Sequence, residues 1–234
     1  MYKYFILKDL QYYNCMLTAY LMTEYVAMIG KRMKDLNNHL KMSMNKNKDE
    51  LFTMETNQLA MSRSKIDINT ISKAFTTISE LINTYNEIFG YLYIIYSCNI
   101  VTNILSPLNM ALLHARGITL HEEMSFGPEI VVFFLVWLLF PIFSGFRLFA
   151  TCGSVEFETG KVPQICYTLI KHLKHDEFKL RDELERYANQ ADRLKSKFSA
   201  SGYFDVNYGL ILPILGSAVT YTIVLMQFHT LTEN

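Results

Sequence analysis

Four residues near the C-terminus could line a path for water and ions. Gly216, Thr220, Val224 and Gln227 follow one another at steps of four, four and three. In a helix, this spacing places them on one face. A face that mixes small, hydroxyl and amide groups suits a narrow water-filled path around a symmetry axis. The same residue types also pack one membrane helix against another, so both interpretations stay open on these residues alone.

The sequence contains few residue patterns that are typical of an enzyme. His172 and His175, at i,i+3, could share a metal ion, but a membrane metalloenzyme would need further histidine or carboxylate ligands. The segment 121–123, His-Glu-Glu, lacks the second histidine of a zinc protease. No Gly-rich phosphate loop and no Ser, His, Asp arrangement stands out. We therefore predict no enzyme activity, no catalytic residue, no bound metal and no cofactor.

The composition favours a membrane protein. The 234 residues are 50% hydrophobic and 14% aromatic, which is unusual for a soluble domain of this size. The 22 basic and 22 acidic residues balance, so no basic field predicts a nucleic-acid partner. Cys15, Cys98, Cys152 and Cys166 have no C-x-x-C spacing and fall in no predicted outer loop. Neither a disulfide framework nor a zinc site is expected.

Four segments are candidates for membrane spans. A hydrocarbon core about 30 Å thick requires roughly 20 mostly apolar helical residues. The windows that meet this requirement, to different degrees, are 10–29, 88–113, 130–150 and 204–228. The first contains Glu24 and several Tyr and Thr, so it is either a span or a half-buried amphipathic helix. The last is predicted to be interrupted at Pro213 and Gly216, because proline removes a helix hydrogen bond and clashes with the preceding turn.

The charges between these windows predict an orientation. Regions 31–87 and 151–202 carry nine basic residues each, together 18 of the 22 in the chain. The loop 114–129 and the tail after Phe228 carry more acid than base. Since loops rich in Lys and Arg stay on the cytoplasmic side, regions 31–87 and 151–202 are predicted to be cytoplasmic and the C-terminus extracellular.

The cytoplasmic regions are predicted to be helical, each helix with one buried seam, because their apolar residues recur at steps of three and four. The seams are Val26, Ile29, Met33, Leu36 and Leu40; Ile71, Phe75, Ile78, Ile82, Tyr85 and Phe89; and Leu180, Leu184, Tyr187, Ala191, Leu194 and Phe198. Asp182 and Arg186 are spaced for an ion pair. The polar stretch 41–64 is predicted to be a mobile loop. Together the spans and seams predict an all-α polytopic membrane protein, a helical transmembrane bundle with cytoplasmic helical extensions.

The end of the chain resembles a motif of the insect gustatory receptor family. Thr220-Tyr221, five mostly hydrophobic residues and Gln227-Phe228 occupy the positions of the family's Thr-Tyr and Gln-Phe pairs in the last transmembrane helix. The segments 36–40 and 199–207 are similar to further family patterns. The resemblance covers the last four spans of a seven-span family, which implies a fragment or a shortened form.

The resemblance implies a function. Family members are tastant-gated cation channels, so the expected partners are a small-molecule tastant, membrane lipid and sister subunits in a homo- or hetero-tetramer at the plasma membrane. In that family the last helix lines the pore. Carried over, Gln227 and Phe228 are gate candidates, Thr220 and Val224 line the path below, and Tyr221 belongs to the same motif.

A ligand pocket is expected in the outer half of the bundle, again as the resemblance implies. Its candidates here are Asn99 and Asn103 on the second span, with Phe133, Phe134 and Trp137 on the third. Asparagines in spans also bond neighbouring helices, and aromatic residues also anchor spans at the membrane boundary. The alternative function is a four-span structural or adaptor membrane protein without channel activity. The short loop 114–129, which has no cysteine, disfavours a tetraspanin-like form of it.

Overall fold

Five α-helices account for most of the structure, a computed structural model that describes residues 2–53, 68–115, 128–173 and 178–232. They are α1 (Tyr2–Thr53), α2 (Ile68–Ala115), α3 (Pro128–His172), α4 (Phe178–Arg193) and α5 (Ile211–Thr232). One 3-10 turn, Tyr208–Leu210, precedes α5. Within these ranges there is no β-strand, only an isolated bridge between Ser199 and Asp205. The all-α prediction is confirmed.

Two helical segments in the described part of the chain are long and apolar enough to cross a membrane, Ile68–Ser106 and Tyr208–Gln227. They overlap the predicted spans 88–113 and 204–228. The exposure of the second segment fits this assignment, because only 11% of its apolar window is buried inside the chain. Hydrocarbon, another chain or water must cover the rest. The spans at 10–29 and 130–150 stay predictions.

The chain divides into two compact units. Met1–Glu24, Phe89–Ala150 and Ser199–Asn234 form the first, called here the span unit because it holds most of the predicted spans. Tyr25–Ile88 and Thr151–Phe198 form the second, called the extension unit. Helices α1, α2 and α3 each contribute a segment to both.

The predicted seams form much of the core of the extension unit, together with buried residues of α3 such as Val155 and Val162. Met33, Phe75 and Phe198 are fully buried, and Tyr187 is 2% exposed. The rings of Phe75 and Tyr187 meet edge to face with centroids 6.1 Å apart, and Tyr85 meets Phe198 the same way at 5.6 Å. Such aromatic pairs stabilise beyond their buried area. The heptad-like periodicity therefore identified the correct faces of three helices.

Polar groups fix the register between the helices of this unit. Gln190 of α4 accepts a hydrogen bond from Ser72 Oγ at 2.8 Å and donates one to Thr76 Oγ1 at 3.1 Å, which ties α4 to α2. Asn37 of α1 is 2% exposed, and its Nδ2 donates to the backbone oxygen of Glu158 at 2.9 Å and to Oε2 at 3.1 Å. Buried polar groups need such partners, so these bonds specify which residues face one another.

Lys161 adds a third contact to Glu158, with Nζ 2.6 Å from Oε1. Burial alone raises the pKa of the Glu158 carboxyl, but the hydrogen bonds from Lys161 and Asn37, together with the charges of Lys161 and Lys34, outweigh it and hold that pKa below its ordinary value. The carboxylate is therefore charged at neutral pH and links α1 to α3.

One predicted loop is partly wrong and one predicted ion pair is confirmed. Helix α1 continues to Thr53, so residues 41–53 of the predicted mobile loop 41–64 are helical, and residues 54–64 lie outside the described ranges. The stretch contains neither proline nor glycine, and its Lys, Met and Glu residues favour helix. In α4, Arg186 Nη2 lies 3.0 Å from Asp182 Oδ2, as the i,i+4 spacing predicts.

Candidate functional site along the last helix

A tight linker of the span unit leads into α5. The Ala200 amide donates to the Phe204 carbonyl at 3.0 Å, and the Gly202 amide donates to Ser199 Oγ at 3.0 Å. Ser201 and Gly202 adopt left-handed backbone conformations, with φ of 51° and 81°. Glycine enters this region freely, whereas the serine is strained there. The hydrogen bonds around the turn hold Ser201 in place.

Helix α2 approaches this turn at Gly90. A Cβ atom at Gly90 would lie 2.6 Å from Ser201 Oγ and 2.8 Å from the Ser201 amide nitrogen. Only glycine allows the two backbones to come this close. The contact fixes where the linker, and therefore the start of α5, lies against α2.

The start of α5 corrects the predicted interruption of the last span. Asn207 Oδ1 accepts a hydrogen bond from the Gly209 amide at 2.9 Å and caps the 3-10 turn. Pro213 falls in the first turn of α5. Backbone nitrogens in that turn have no intrahelical acceptor, so the missing N–H of the proline costs no helix hydrogen bond. The helix then runs without a break through Gly216 to Thr232. The prediction that Pro213 and Gly216 interrupt the span is wrong, because the proline lies at a helix start.

Helix α5 packs on its own chain along one narrow line. Ile214 and Ala218 are 9% and 2% exposed, and Thr222 and Leu225 are half-buried. These four residues recur at steps of four, four and three, so they share one face. Ile211, which is also half-buried, extends this line to the first residue of the helix.

The predicted pore residues lie on the opposite face. Each of Gly216, Thr220, Val224 and Gln227 follows a residue of the packed line by two positions, which is about 200° around a helix. All four are exposed within the chain. In the described part of the chain, no heavy atom outside the adjacent residues and turns of α5 lies within 4 Å of the place where a Gly216 Cβ would stand. The structure thus presents these residues together on an open face.

The structure describes the other two residues of the terminal motif, Tyr221 and Phe228, in less detail. Tyr221 is 49% exposed and points off the packed line. Phe228 belongs to α5, but its side chain lies outside the described part. Two hydroxyls bond back to their own helix, Ser217 to the Ile214 carbonyl and Thr222 to the Ala218 carbonyl, each at 2.8 Å. Hydroxyls satisfied in this way tolerate an apolar environment.

The predicted ligand residues are only partly brought together. Asn99 and Asn103 are half-buried one turn apart on α2. The Asn103 amide donates to the Asn99 carbonyl at 2.9 Å and also to the Asn99 side-chain oxygen. The two amides therefore pair with each other along their own helix. Phe133, Phe134 and Trp137 lie in α3, and their side chains lie outside the described part.

An apolar groove of about 700 Å³, which sequence reasoning missed, lies in the span unit between α2, α3 and the first turns of α5. Ile100, Phe143, Phe146, Ile211, Ile214 and Leu215 are among its walls. The sequence did carry a signal, since phenylalanines recur every third residue at 140, 143, 146 and 149. Which helices would complete the groove could not be read from that spacing.

The charge that made the first span doubtful has a partner. Glu24 Oε1 of α1 lies 2.8 Å from Arg147 Nη2 of α3, within the span unit. An acid and a base that pair near the ends of two apolar segments are far less unfavourable in a membrane than either charge alone. The pair is compatible with 10–29 as a true span. In the described part of the chain, no group of three His, Cys, Asp or Glu side chains could hold a metal ion.

Two helical segments of the described chain are long and apolar enough to cross a membrane, and the second of them, which contains most of α5, is mostly exposed within the chain. These features are those of a helical membrane protein whose last helix can contact further molecules. A sequence profile of the 7tm chemosensory receptor family matches residues 3–232, and the chain belongs to that family. It is a family of receptors and not a class of enzymes.

A relative supports the same family. Over 106 residues, the chain is 26% identical to a Drosophila melanogaster protein named as gustatory receptor 28b. The matched segment covers 45% of this chain and 22% of the relative's length. The resemblance to gustatory receptors expected from the terminal motif is confirmed at the level of the family.

Proposed function

We propose that this chain is a subunit of a gustatory receptor that acts as a tastant-gated cation channel in the plasma membrane. One observation carries the proposal beyond family membership. The face of α5 formed by Gly216, Thr220, Val224 and Gln227 is turned away from the line on which the helix packs. A face left open by its own chain is available to a symmetry axis, around which several copies would enclose a path.

The chemistry of this face suits cations. Residues 211–228 contain no charged side chain. A neutral path with hydroxyl and amide oxygens can replace part of a cation's water shell without binding the ion too tightly to release it. Thr220 and Gln227 provide those oxygens, and Val224 narrows the path between them. Gln227 and Phe228 would form the outer gate.

The proposed assembly is a homo- or hetero-tetramer. In it, the cytoplasmic extension unit holds the subunits together and the C-terminus lies outside the cell. The tastant would bind in the outer half of the span unit, with Asn99, Asn103 and the aromatic residues of α3 as candidate contacts. The asymmetric distribution of Lys and Arg supports this orientation. Epitope tags at residue 234 and between residues 41 and 64 test it: intact cells should stain only for the C-terminal tag, and surface staining of the inner tag would refute the topology.

Recording of ligand-evoked currents tests the pore. Thr220→Ala and Gln227→Ala should change conductance or ion selectivity, because each removes a polar group from the path. Val219→Ala is the matched control, since Val219 is 58% exposed on the same helix but lies about 100° from the pore face. Currents unchanged in both test variants, in cells that express a complete sister subunit, would refute the assignment.

A further inference from the structure

The apolar groove beside the start of α5 has walls from three helices. Ile100 belongs to α2, Phe143 and Phe146 belong to α3, and Ile211 and Leu215 belong to α5. Among the described residues that line it, none has a charged or a polar side chain. A volume of about 700 Å³ falls within the range of roughly 300–1,000 Å³ that small-molecule sites occupy.

The lining determines the chemistry of the occupant. A polar molecule would lose its hydrogen bonds to water and gain none from these walls, at a cost of several kcal/mol for each group. A hydrocarbon has no hydrogen bonds to water and therefore incurs no such cost. The walls therefore match an aliphatic chain rather than a sugar, an amine or an ion.

The groove is too short to hold a whole membrane helix. A helix at least about 10 Å across would fill 700 Å³ within roughly 9 Å, which is about six residues. A span requires about 20 residues. An aliphatic chain is thinner and can lie along the groove for its whole length.

The position of the groove indicates which hydrocarbon is available. Phe140 and Phe143 at its edge are 54% and 71% exposed, so the groove opens to the surroundings of the span unit. Ile211 and Leu215 lie near the beginning of the predicted span 204–228, which is its cytoplasmic end in the proposed orientation. Lipid tails of the inner leaflet surround that depth.

We propose that this groove binds an acyl chain of an inner-leaflet membrane lipid, seated between α3 and the first turns of α5. The leaflet assignment rests on the proposed function, whereas the site itself does not. Ile214 is both a wall of the groove and part of the narrow line that packs α5 on its chain. An acyl chain in the groove thus supports the base of the proposed pore helix, and removal of the lipid should shift the gating equilibrium.

Photolabelling of the full chain tests the site. The protein is placed in nanodiscs of phosphatidylcholine and phosphatidylserine that contain a small fraction of phosphatidylcholine with a diazirine on one acyl chain, and the labelled peptides are mapped by mass spectrometry. Label should concentrate on the segments around Phe143 and Leu215, several-fold above the similarly exposed segment around Ile223.

Leu215→Trp fills the groove and should reduce this labelling several-fold. Leu212→Trp is the matched control, because Leu212 is on the same helix, is 77% exposed and is not a wall of the groove. Should Leu215→Trp fail to insert, Leu139→Trp fills the same groove from α3. Labelling uniform over all exposed apolar segments, or unchanged in the filled variants, would overturn the proposal.

Two further outcomes would also overturn it. A disulfide between two copies of Leu215→Cys would assign the groove to a second subunit. Stronger labelling by a free diazirine fatty acid, competing with the phospholipid, would assign it to a soluble ligand. Photolabelling requires no channel activity, so failure here and failure of the current recordings are distinguishable.

Discussion

Asn37 should be one of the strongest determinants of stability in the extension unit. Its amide donates to a carbonyl and to a carboxylate of Glu158, and the side chain is 2% exposed. Loss of a neutral hydrogen bond costs about 1 kcal/mol, and loss of one to a charged group costs about 1.5–3 kcal/mol. Asn37→Ala also removes the buried Oδ1, which has no hydrogen-bond partner among the described residues, and this offsets part of the loss. We therefore expect the substitution to destabilise the unit by about 2–3 kcal/mol. For a chain of this size, this corresponds to a melting temperature lower by about 4–12 °C.

Two buried cysteines allow the unfolding of this unit to be measured. Cys152 and Cys166 are both fully buried in it. Burial raises the pKa of the Cys166 thiol to about 12, so this thiol stays protonated and unreactive until the unit opens. In a background with Cys15→Ser and Cys98→Ser, the fluorescence of a thiol-reactive dye during heating of the purified protein therefore reports unfolding of the extension unit.

Asn38→Ala is the matched control, since Asn38 is the exposed neighbour, and its melting temperature should stay within about 2 °C of the parent, in keeping with a surface substitution. The contribution of Glu158 is also pH-dependent. Because the folded pKa of this carboxyl is lowered, its stabilisation is fully present above the ordinary value of 4.5 and is lost as the pH falls through the lowered value. A melting temperature for Asn37→Ala equal to that of Asn38→Ala would refute the reasoning.

Three other substitutions test separate contacts. Gly90→Ala should lower the melting temperature and the surface expression, because the new Cβ would lie 2.8 Å from the backbone nitrogen of Ser201; wild-type behaviour would contradict the close approach. Tyr187→Phe should leave stability unchanged or raise it by about 1 kcal/mol, because the buried hydroxyl has no hydrogen-bond partner among the described residues; a large loss in the dye assay would contradict this. Arg147→Glu should reduce surface expression, and Glu24→Arg combined with it should restore expression; no rescue would contradict the ion pair.

The sequence was informative where a pattern repeats along one element. The seams that contain Met33, Phe75 and Tyr187 were predictable because helical periodicity places apolar residues on one side. The predicted pore face follows from the same geometry, and the structure adds that this face lies opposite the packed line of α5. Patterns of this kind are local and need no knowledge of the neighbouring helices.

The sequence was less informative where the outcome depends on position or on distant partners. Pro213 reads as a helix break, but the cap at Asn207 starts the helical segment just before it, so the ring lies in the first turn of α5. Glu24 and Arg147 are 123 residues apart, and no motif links them. The apolar groove likewise requires three helices that come from separate parts of the chain.

A cysteine scan along α5 tests the central claim most directly. Single cysteines are introduced from residue 214 to residue 227 in the Cys15→Ser, Cys98→Ser background, and block of ligand-evoked current by a charged methanethiosulfonate reagent is recorded for each. Block should peak at positions 216, 220, 224 and 227 and be weakest at 214, 218 and 222. Block that is uniform along the helix, or that peaks on the packed line, would contradict a pore lined by this face.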